Sequence, residues 1–253
     1  MRDLQDMSVL VTGGGSGIGE GTARLFTQRG AKVTISGRRK DRIEAVAASI
    51  GPSCHAVVGD VTNHADREAM LAAAVAHGGK LDVLINNAAN MYRQAVGQYT
   101  EDFLKEAFNT NVISGMMLSS MAVPLLETTR GAIIFLGSIH NRRAYPGASP
   151  YATTKAAVEG LTRVMAAELG RKLIRVCCVL PGAVSTDINL RAGLFTVEQS
   201  DARYASIAPD HALGRIGTVA EVAEAIEYLV RAEWVTGVAL EVDGGLGLGV
   251  SNF

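Results

Sequence analysis

The sequence has little cysteine, few aromatic residues and almost no net charge. Its 253 residues include three cysteines and one tryptophan, and aromatic side chains make up 5% of the chain. Three cysteines cannot form a complete disulfide framework, and Cys177 and Cys178 are adjacent within an apolar run. We therefore expect buried thiols and a reducing compartment, which favours a cytoplasmic protein over a disulfide-rich secreted one.

The charge distribution argues against several classes of partner. The net charge is −1, and no Lys/Arg run is longer than Arg38-Arg39-Lys40, so we expect no nucleic-acid partner. The N-terminus shows no apolar signal-peptide core, and segment 107–126, although uncharged, carries too many Asn and Ser residues for a membrane span. The five histidines are scattered without ligand spacing, so we expect no metal site.

Short apolar runs alternate with amphipathic segments along the chain, and this alternation predicts a doubly wound parallel α/β sheet in a single domain, 1–253. The predicted strands cover residues 7–12, 31–37, 54–59, 81–86, 131–138, 173–180 and 237–242. The predicted helices cover residues 17–29, 40–50, 64–77, 100–126, 150–170 and 219–231. One irregular insertion, at about 185–211, follows the sixth strand and is a candidate substrate lid.

Two helix starts carry local sequence signals. Ser149-Pro150 predicts an N-cap followed by proline at the first helical position. The segment from Thr218 to Glu221 predicts a capping box.

A glycine-rich turn between the first strand and the first helix predicts a nucleotide site. Glycines allow the backbone to approach a pyrophosphate closely, and the following helix presents free amide donors. The spacing is T-G-x-x-x-G-x-G rather than G-x-G-x-x-G. The predicted contacts in this turn are Gly13, Gly15, Ser16, Gly17, Ile18 and Gly19.

The end of the second strand discriminates between the two nicotinamide dinucleotides. NAD-dependent proteins tend to place a carboxylate there for the ribose 2′-hydroxyl, but this chain has Gly37 followed by Arg38 and Arg39. A guanidinium pairs with a 2′-phosphate, so the pattern predicts NADP(H). These arginines could instead be solvated loop charges, in which case NAD(H) would be the cofactor.

Tyr151 and Lys155 are four residues apart and share one face of a predicted helix. An ammonium close to a phenol favours the phenolate and lowers the pKa of the phenol. The pair could therefore transfer a proton near neutral pH, although Tyr-x-x-x-Lys alone is usually a surface pair.

Five motifs in register resemble the short-chain dehydrogenase/reductase family over essentially the whole chain. They are Thr12-Gly13-x-x-x-Gly17-x-Gly19, Asn86-Asn87-Ala88-Ala89, Ser138, Tyr151-x-x-x-Lys155 and Pro181-Gly182. Ala89 departs from the glycine of the family pattern. The resemblance implies a Rossmann-like seven-stranded sheet of order 3-2-1-4-5-6-7, a nicotinamide cofactor and a homotetramer or homodimer.

The resemblance also implies roles for single residues. Asn111, Ser138, Tyr151 and Lys155 would be catalytic. Ser138 and Tyr151 would bind the carbonyl oxygen, Tyr151 would donate the proton, and Lys155 would grip the cofactor ribose and pass protons from an Asn111-bound water. Further cofactor contacts would come from Asp60, Val61, Asn87, Ala88, Ala89, Pro181, Gly182, Val184 and Thr186.

Substrate contacts beyond Ser138 and Tyr151 are less constrained by the sequence. His140, two residues after Ser138, and Tyr145 could face the substrate, although a loop histidine could equally make a single backbone contact. Arg93, Arg142 and Arg143 could recognise an anionic substrate or lie in solvent. Apolar residues of the insertion suggest a medium-sized, partly apolar carbonyl compound.

The leading hypothesis is an oxidoreductase that transfers a hydride between NADP(H) and a carbonyl or secondary alcohol. The alternatives are an NAD(H)-linked alcohol dehydrogenase and a non-catalytic nucleotide sensor on the same fold. The apolar, glycine-rich end of the chain, residues 246–253, is expected to pack against a neighbouring subunit.

Overall fold

A computed structural model describes residues 1–249, and its centre is a seven-stranded parallel sheet of order β3-β2-β1-β4-β5-β6-β7. This is the predicted order. The predicted residues 250–253 of the apolar tail lie outside the described residues. The strands are β1 (Ser8–Thr12), β2 (Lys32–Gly37), β3 (Cys54–Val58), β4 (Val83–Asn86), β5 (Ala132–Leu136), β6 (Arg175–Pro181) and β7 (Ala239–Val242).

Helices cover both faces of the sheet, as predicted. They are α1 (Gly17–Gln28), α2 (Lys40–Ile50), α3 (His64–Gly78), α4 (Glu101–Phe108), α5 (Ser114–Thr129), α6 (Ser149–Leu169), α7 (Ile188–Arg191), α8 (Val197–Ile207) and α9 (Val219–Arg231). One apolar cluster joins the sheet to α1, α2 and α9, and the other joins it to α3, α5 and α6.

The strands are buried on both faces, which explains why they contain runs of Val, Ile and Leu without alternation. Every residue of β1, β5 and β6 is buried. The three cysteines are buried and unpaired, as expected, and Cys177 and Cys178 lie within β6. Burial raises the pKa of the Cys178 thiol to about 12, so this thiol is a packing group rather than a nucleophile.

The uncharged segment 107–126 lies within one continuous helix, Glu101–Thr129. This helix contains a π-helical turn at Asn109–Ile113. Among the described residues this is the one helix long and apolar enough to span a membrane by length and composition, a test that core helices of soluble proteins also pass. Its α5 portion packs against the sheet through Leu118, Ala122 and Leu126. Ile113, Met116 and Met117 remain partly exposed.

Of the two helix starts predicted from the sequence, the structure confirms one and contradicts the other. Thr218 and Glu221 form the predicted reciprocal capping box at the start of α9. The prediction for Ser149 is wrong, because Ser149 is the first helical residue and Ala148 precedes it as the cap. The Ser149 hydroxyl bonds the Tyr99 hydroxyl instead, so a tertiary contact replaces the local cap.

Candidate active site

The glycine-rich turn lies at the carboxyl edge of the sheet, where β1 and β4 are neighbours. Gly13 and Gly17 have φ angles of 69° and 55°, which favour glycine. The Asn87 amide donates hydrogen bonds to the carbonyl oxygens of Thr12 and Gly13 at 2.8 and 3.1 Å. The segment after β4 therefore fixes the conformation of the turn after β1, and the crevice between them is where α/β sheets bind ligands.

Gly19 is the one predicted cofactor contact of this turn that does not line the crevice. A Cβ atom at Gly19 would be 2.4 Å from the carbonyl oxygen of Gly13 and 2.5 Å from Nδ2 of Asn87. The role of this glycine is to let α1 approach the turn closely. The other predicted turn residues line the crevice, namely Gly13, Gly15, Ser16, Gly17 and Ile18.

The end of β2 presents positive charge to the crevice beside the glycine-rich turn. Gly37, Arg38 and Arg39, the predicted cofactor contacts of this strand end, line this region. Arg38 lies 3.7 Å from a carboxylate oxygen of Asp60, and Arg39 donates a hydrogen bond to the Ser16 hydroxyl at 3.4 Å. Both guanidinium groups are substantially exposed and could exchange these contacts for a phosphate.

Two further arginines join this region, and sequence reasoning missed both. Arg42 comes from α2, and Arg191 comes from α7 in the insertion. Burial lowers the pKa of Arg191, and the charges of Arg39 and Arg38 lower it further while Asp187 opposes them. Arg191 is therefore close to the other cations although 153 residues separate it from Arg38 in the chain (191 − 38). The signal for Arg42 was its place in the first turn of α2, directly after the loop that carries Arg38 and Arg39. Arg191 had no signal in the sequence.

Asp60 and Val61 line the same part of the crevice, after β3. The Asp60 carboxylate accepts hydrogen bonds from the backbone N–H and the hydroxyl of Thr62. Burial raises the pKa of Asp60, but the Thr62 hydrogen bonds and the charge of Arg38 outweigh that effect, so the carboxyl pKa is lowered overall. Asp60 thus stabilises the turn after β3, and it also lies at the edge of the crevice.

Tyr151, Lys155 and Ser138 come together on the other side of the crevice. The Lys155 ammonium is 5.7 Å from the centre of the Tyr151 ring, and Nζ donates a hydrogen bond to the Leu136 carbonyl at 2.6 Å. Ser138 follows the end of β5 by two residues rather than ending the strand. All three side chains are buried, so their interactions are weakly screened.

The expected lowering of the Tyr151 pKa by Lys155 is not found in this arrangement. Burial raises the pKa of Tyr151 to about 12, and a hydrogen bond with Ser138 offsets only part of this effect. Burial also lowers the pKa of Lys155 to about 8. Desolvation disfavours the charged forms of both groups, and the ammonium is directed to the Leu136 carbonyl rather than the phenol oxygen.

Asn111 lies in the π-helical turn, behind the crevice. Its amide donates to the Asn90 carbonyl and the Thr154 hydroxyl at 3.0 and 3.1 Å, and its oxygen accepts from the Asn90 N–H at 2.9 Å. A small cavity lies between Asn111 and Lys155. The π turn is the irregularity that directs this side chain inward, and such turns are frequent at functional sites.

Predicted residues at the ends of three strands, β4, β5 and β6, line one crevice together with two residues of α6. They are Asn87, Ala88, Ala89, Ser138, His140, Tyr145, Tyr151, Lys155, Pro181, Gly182, Val184 and Thr186. A Cβ atom at Gly17 would be 3.2 Å from the Thr186 methyl group, so the insertion reaches the glycine-rich turn. No group of three metal-ligating side chains occurs within residues 1–249.

His140 faces the catalytic candidates rather than making only a backbone contact. Its Nδ1 is 3.1 Å from the Ser138 hydroxyl, and its ring centre is 4.4 Å from that of Tyr145 and 5.1 Å from that of Tyr151. Its Nε2 is buried and has no hydrogen-bond partner among residues 1–249. Burial lowers the pKa of His140 to about 4, aided by nearby cations, so the imidazole is neutral at pH 7.

Helices α7 and α8 form the insertion that borders the crevice. The Thr186 backbone exchanges hydrogen bonds at 3.3 Å with the Tyr204 hydroxyl of α8. Asp187 lies 3.7 Å from Arg39 and 3.6 Å from Arg191. The Arg39–Asp187 ion pair connects the insertion to the loop after β2 across the crevice, whereas the Asp187–Arg191 pair lies within the insertion.

Two of the three arginines considered for anion recognition are already paired. Arg142 makes ion pairs with Glu159 and Glu241, and Arg143 pairs with Asp210 at 2.9 Å. Arg142 therefore anchors the loop after β5 to α6 and β7. Arg93 differs from both, because it lines the crevice and makes no ion pair within the described residues.

Comparisons with known proteins agree with this architecture. A family model described as Enoyl-(Acyl carrier protein) reductase matches residues 13–247. Oxidoreductase asL5 of Sarocladium schorii is 32% identical over 249 residues, covering 97% of this chain and 98% of that protein. The 3-oxoacyl-[acyl-carrier-protein] reductase FabG of Chlamydia muridarum is 31% identical over 250 residues, covering 96% and 98%.

Solved structures are similar over nearly the whole chain. A short-chain dehydrogenase/reductase of unknown function from Caenorhabditis elegans, with cofactor, has a TM-score of 0.92 and 28% identity, covering 99% of this chain and 98% of that one. A 3-ketoacyl-(acyl-carrier-protein) reductase from Brucella melitensis, complexed with NADH, has a TM-score of 0.88 and 30% identity, covering 96% and 99%.

The sheet order and its crevice define a Rossmann-like α/β protein. The chain belongs to the short-chain dehydrogenase/reductase family of oxidoreductases, as the family match and the relatives show.

Proposed function

We propose that this protein is an NADP(H)-dependent oxidoreductase that interconverts a carbonyl group and a secondary alcohol, with Tyr151 as the acid and base. The observation that carries the proposal is the convergence of Ser138, Tyr151 and Lys155 on one crevice with the glycine-rich turn. Two relatives are named 3-oxoacyl-[acyl-carrier-protein] reductase, and that name describes the reduction of a carbonyl group. The names support this reaction type.

The residues of the crevice fit a dinucleotide. The absence of a side chain at Gly13 lets the turn pack closely against Asn87 and Ala88. The turn leads into the start of α1, where free backbone N–H groups suit a pyrophosphate. Bound NADPH would supply the hydride. Arg38, Arg39, Arg42 and Arg191 would hold a 2′-phosphate, and the glycine at position 37 removes the carboxylate that would repel it.

The chain's own groups supply proton transfer and orientation. The Ser138 hydroxyl and the Tyr151 phenol bind and polarise the carbonyl oxygen, and Tyr151 donates its proton to that oxygen as negative charge develops there. The high pKa of Tyr151, about 12, keeps the phenol protonated at pH 7 and suits it to reduction. Lys155 holds a positive charge beside the site, and Asn111 with the adjacent cavity can position a water for proton supply.

The assembly that we propose is a homotetramer or homodimer of single-domain subunits, in which the insertion at about 185–211 closes over substrate. Ile113, Met116 and Met117 leave an apolar strip on the long helix, and Trp234 is fully exposed. Leu248, in the described part of the tail, is also exposed. Truncation after Gly245 tests the tail by solution mass, and an unchanged oligomer would exclude it from the interface.

Hydride transfer itself tests the proposed function. Purified protein is incubated with NADPH or NADH and a panel of ketones, and oxidation of the cofactor is followed by absorbance. We expect ketone-dependent oxidation of NADPH, with NADPH bound about tenfold more tightly than NADH in fluorescence titrations. Equal or tighter NADH binding would favour the NAD(H)-linked alternative, and binding without any turnover would favour a nucleotide sensor.

A further inference from the structure

A pair of unpaired arginines lies at the substrate end of the crevice. Arg93 comes from the segment after β4, and Arg203 comes from α8 in the insertion. Neither guanidinium makes an ion pair within residues 1–249. Arg93 donates a hydrogen bond to the Pro146 carbonyl at 2.7 Å, and the Arg203 guanidinium carbon lies 5.6 Å from the centre of the Phe195 ring.

The two cations flank the catalytic candidates. Both side chains line the same crevice. Burial lowers the pKa of Arg93, and the charge of Arg203 lowers it further, so the two guanidinium groups are close enough for their charges to interact. Both also act on His140, whose Nδ1 is 3.1 Å from the Ser138 hydroxyl. The positive field of the pair therefore lies next to the position of the substrate oxygen, and not at the cofactor phosphates.

The charge of this pair is not balanced by the protein. Asp60 lies in the other part of the crevice, beside Arg38. Among the described residues that line the part with Ser138 and Tyr151, Asp187 is the one carboxylate, and it is shared between Arg39 and Arg191. Bringing two partly buried like charges together is unfavourable in a medium of reduced dielectric constant. An anion between them would relieve this repulsion and could accept two-pronged hydrogen bonds, which guanidinium groups are well shaped to give.

Several apolar side chains also line this crevice. Met91, Ile139, Ile207 and Leu246 line it beside the two arginines. This combination fits a ligand with an apolar body and one charged end.

We propose that the substrate is a carbonyl compound that carries an anionic group, a carboxylate or a phosphate-type group, bound between Arg93 and Arg203. This inference rests on the proposed carbonyl reduction and names its substrate class. Because Arg203 belongs to the insertion and Arg93 to the sheet edge, an anion bound by both also draws the insertion onto the core. Substrate charge and closure of the insertion are then coupled.

The test uses matched pairs of charged and neutral ketones. The probes are 4-oxopentanoate, 5-oxohexanoate, 6-oxoheptanoate and 7-oxooctanoate, each with its methyl ester and its phosphonate counterpart. Their binding is measured by calorimetry to the full-length enzyme saturated with NADP⁺, a complex in which a ketone cannot be reduced. Turnover is measured separately with NADPH.

We expect at least one acid or phosphonate to bind about tenfold or more tightly than its ester, and this preference to weaken at high salt. Arg203→Gln and Arg93→Gln should each reduce charged-ligand binding by about ten- to a hundredfold and leave ester binding and NADPH binding unchanged. Arg171→Gln is an equal change of charge in the turn after α6, about 30 Å from Tyr151. This variant should change neither charged-ligand binding nor ester binding. The carboxylate and phosphonate arms show which anion the site prefers.

The outcomes separate this inference from the proposed function. Esters bound as well as acids, or a preference that survives both arginine substitutions, would overturn the anion site even if the ketones are reduced. Arginine-dependent binding of the acids without turnover would support the anion site and contradict the proposed reaction.

Discussion

The Lys155 ammonium lies 5.7 Å from the centre of the Tyr151 ring and is directed to the Leu136 carbonyl. In this arrangement Lys155 does not stabilise the phenolate, and Tyr151 remains a neutral proton donor at pH 7 because burial raises its pKa to about 12. Reduction of a carbonyl needs that proton, whereas oxidation of an alcohol needs the phenolate as an acceptor.

Replacing Tyr151 with phenylalanine removes the proposed proton donor and little else. The ring stays in contact with His140, so the packing of the site is preserved. We expect the reduction rate of Tyr151→Phe to fall by roughly 10²- to 10⁴-fold, with NADPH affinity unchanged. Stopped-flow rates and fluorescence titrations check both statements. A variant that keeps most of its turnover would show that another group supplies the proton.

The two directions of the reaction should respond oppositely to pH. Because Tyr151 has a pKa near 12, the phenolate needed for oxidation becomes more abundant as the pH rises, while the phenol needed for reduction becomes scarcer only at high pH. We expect the rate of alcohol oxidation to increase through the alkaline range and the rate of reduction to stay flat or fall. The measurement is kcat in both directions across pH, at saturating cofactor. Parallel profiles would contradict this assignment.

Arg38 is the cation that follows Gly37 at the end of β2, and its contact with Asp60 at 3.7 Å is loose. We expect Arg38→Gln to weaken NADPH binding by about tenfold, because a phosphate contact is lost, and to leave NADH binding unchanged. Fluorescence titration with both cofactors is the measurement. Arg24→Gln, on the far end of α1, is the matched control for loss of one charge. Equal losses for NADPH and NADH would place Arg38 outside the 2′-phosphate site.

Gly19 tests the close approach of α1 to the glycine-rich turn. A methyl group there would be 2.4 Å from the Gly13 carbonyl oxygen, so either the helix or the turn must move. We expect Gly19→Ala to lower the free energy of unfolding by about 1–3 kcal/mol and to weaken binding of both cofactors. Gly160→Ala in α6 meets no atom within 4 Å and should be neutral or slightly stabilising. Denaturant unfolding of both variants makes the comparison.

The sequence predicted the sheet and the position of the site better than it predicted the charges around the site. The alternation of apolar runs and helical segments, together with the family motifs, led to the observed strand order, and the motifs fall at strand ends that must meet at one edge. Arg191 and Arg203 were missed because the insertion has no periodic pattern that would predict which side chains face the crevice. The pKa of Tyr151 was misjudged because burial depends on the packing of distant segments.

His140 connects the pH dependence of stability to the substrate site. Burial and nearby cations lower its pKa from 6.5 to about 4, so between these values the unfolded chain binds a proton that the folded protein excludes. The free energy of unfolding should be at its plateau above pH 6.5 and should fall as the pH drops towards 4. The part due to His140 is at most about 3.5 kcal/mol, from ~1.4 kcal/mol for each of the roughly 2.5 pH units between the two pKa values.

His140→Asn isolates this contribution because asparagine keeps a polar group that does not titrate. We expect the curve of unfolding free energy against pH, measured by denaturant titration between pH 4 and pH 7.5, to be flatter for His140→Asn than for the wild type. His64→Asn is the matched substitution at a largely exposed histidine, which lies at the start of α3 and pairs with Glu68. If the His140→Asn curve is parallel to the wild type, the imidazole accepts a proton in the folded protein. That result would contradict the assignment of a neutral His140 imidazole beside Ser138.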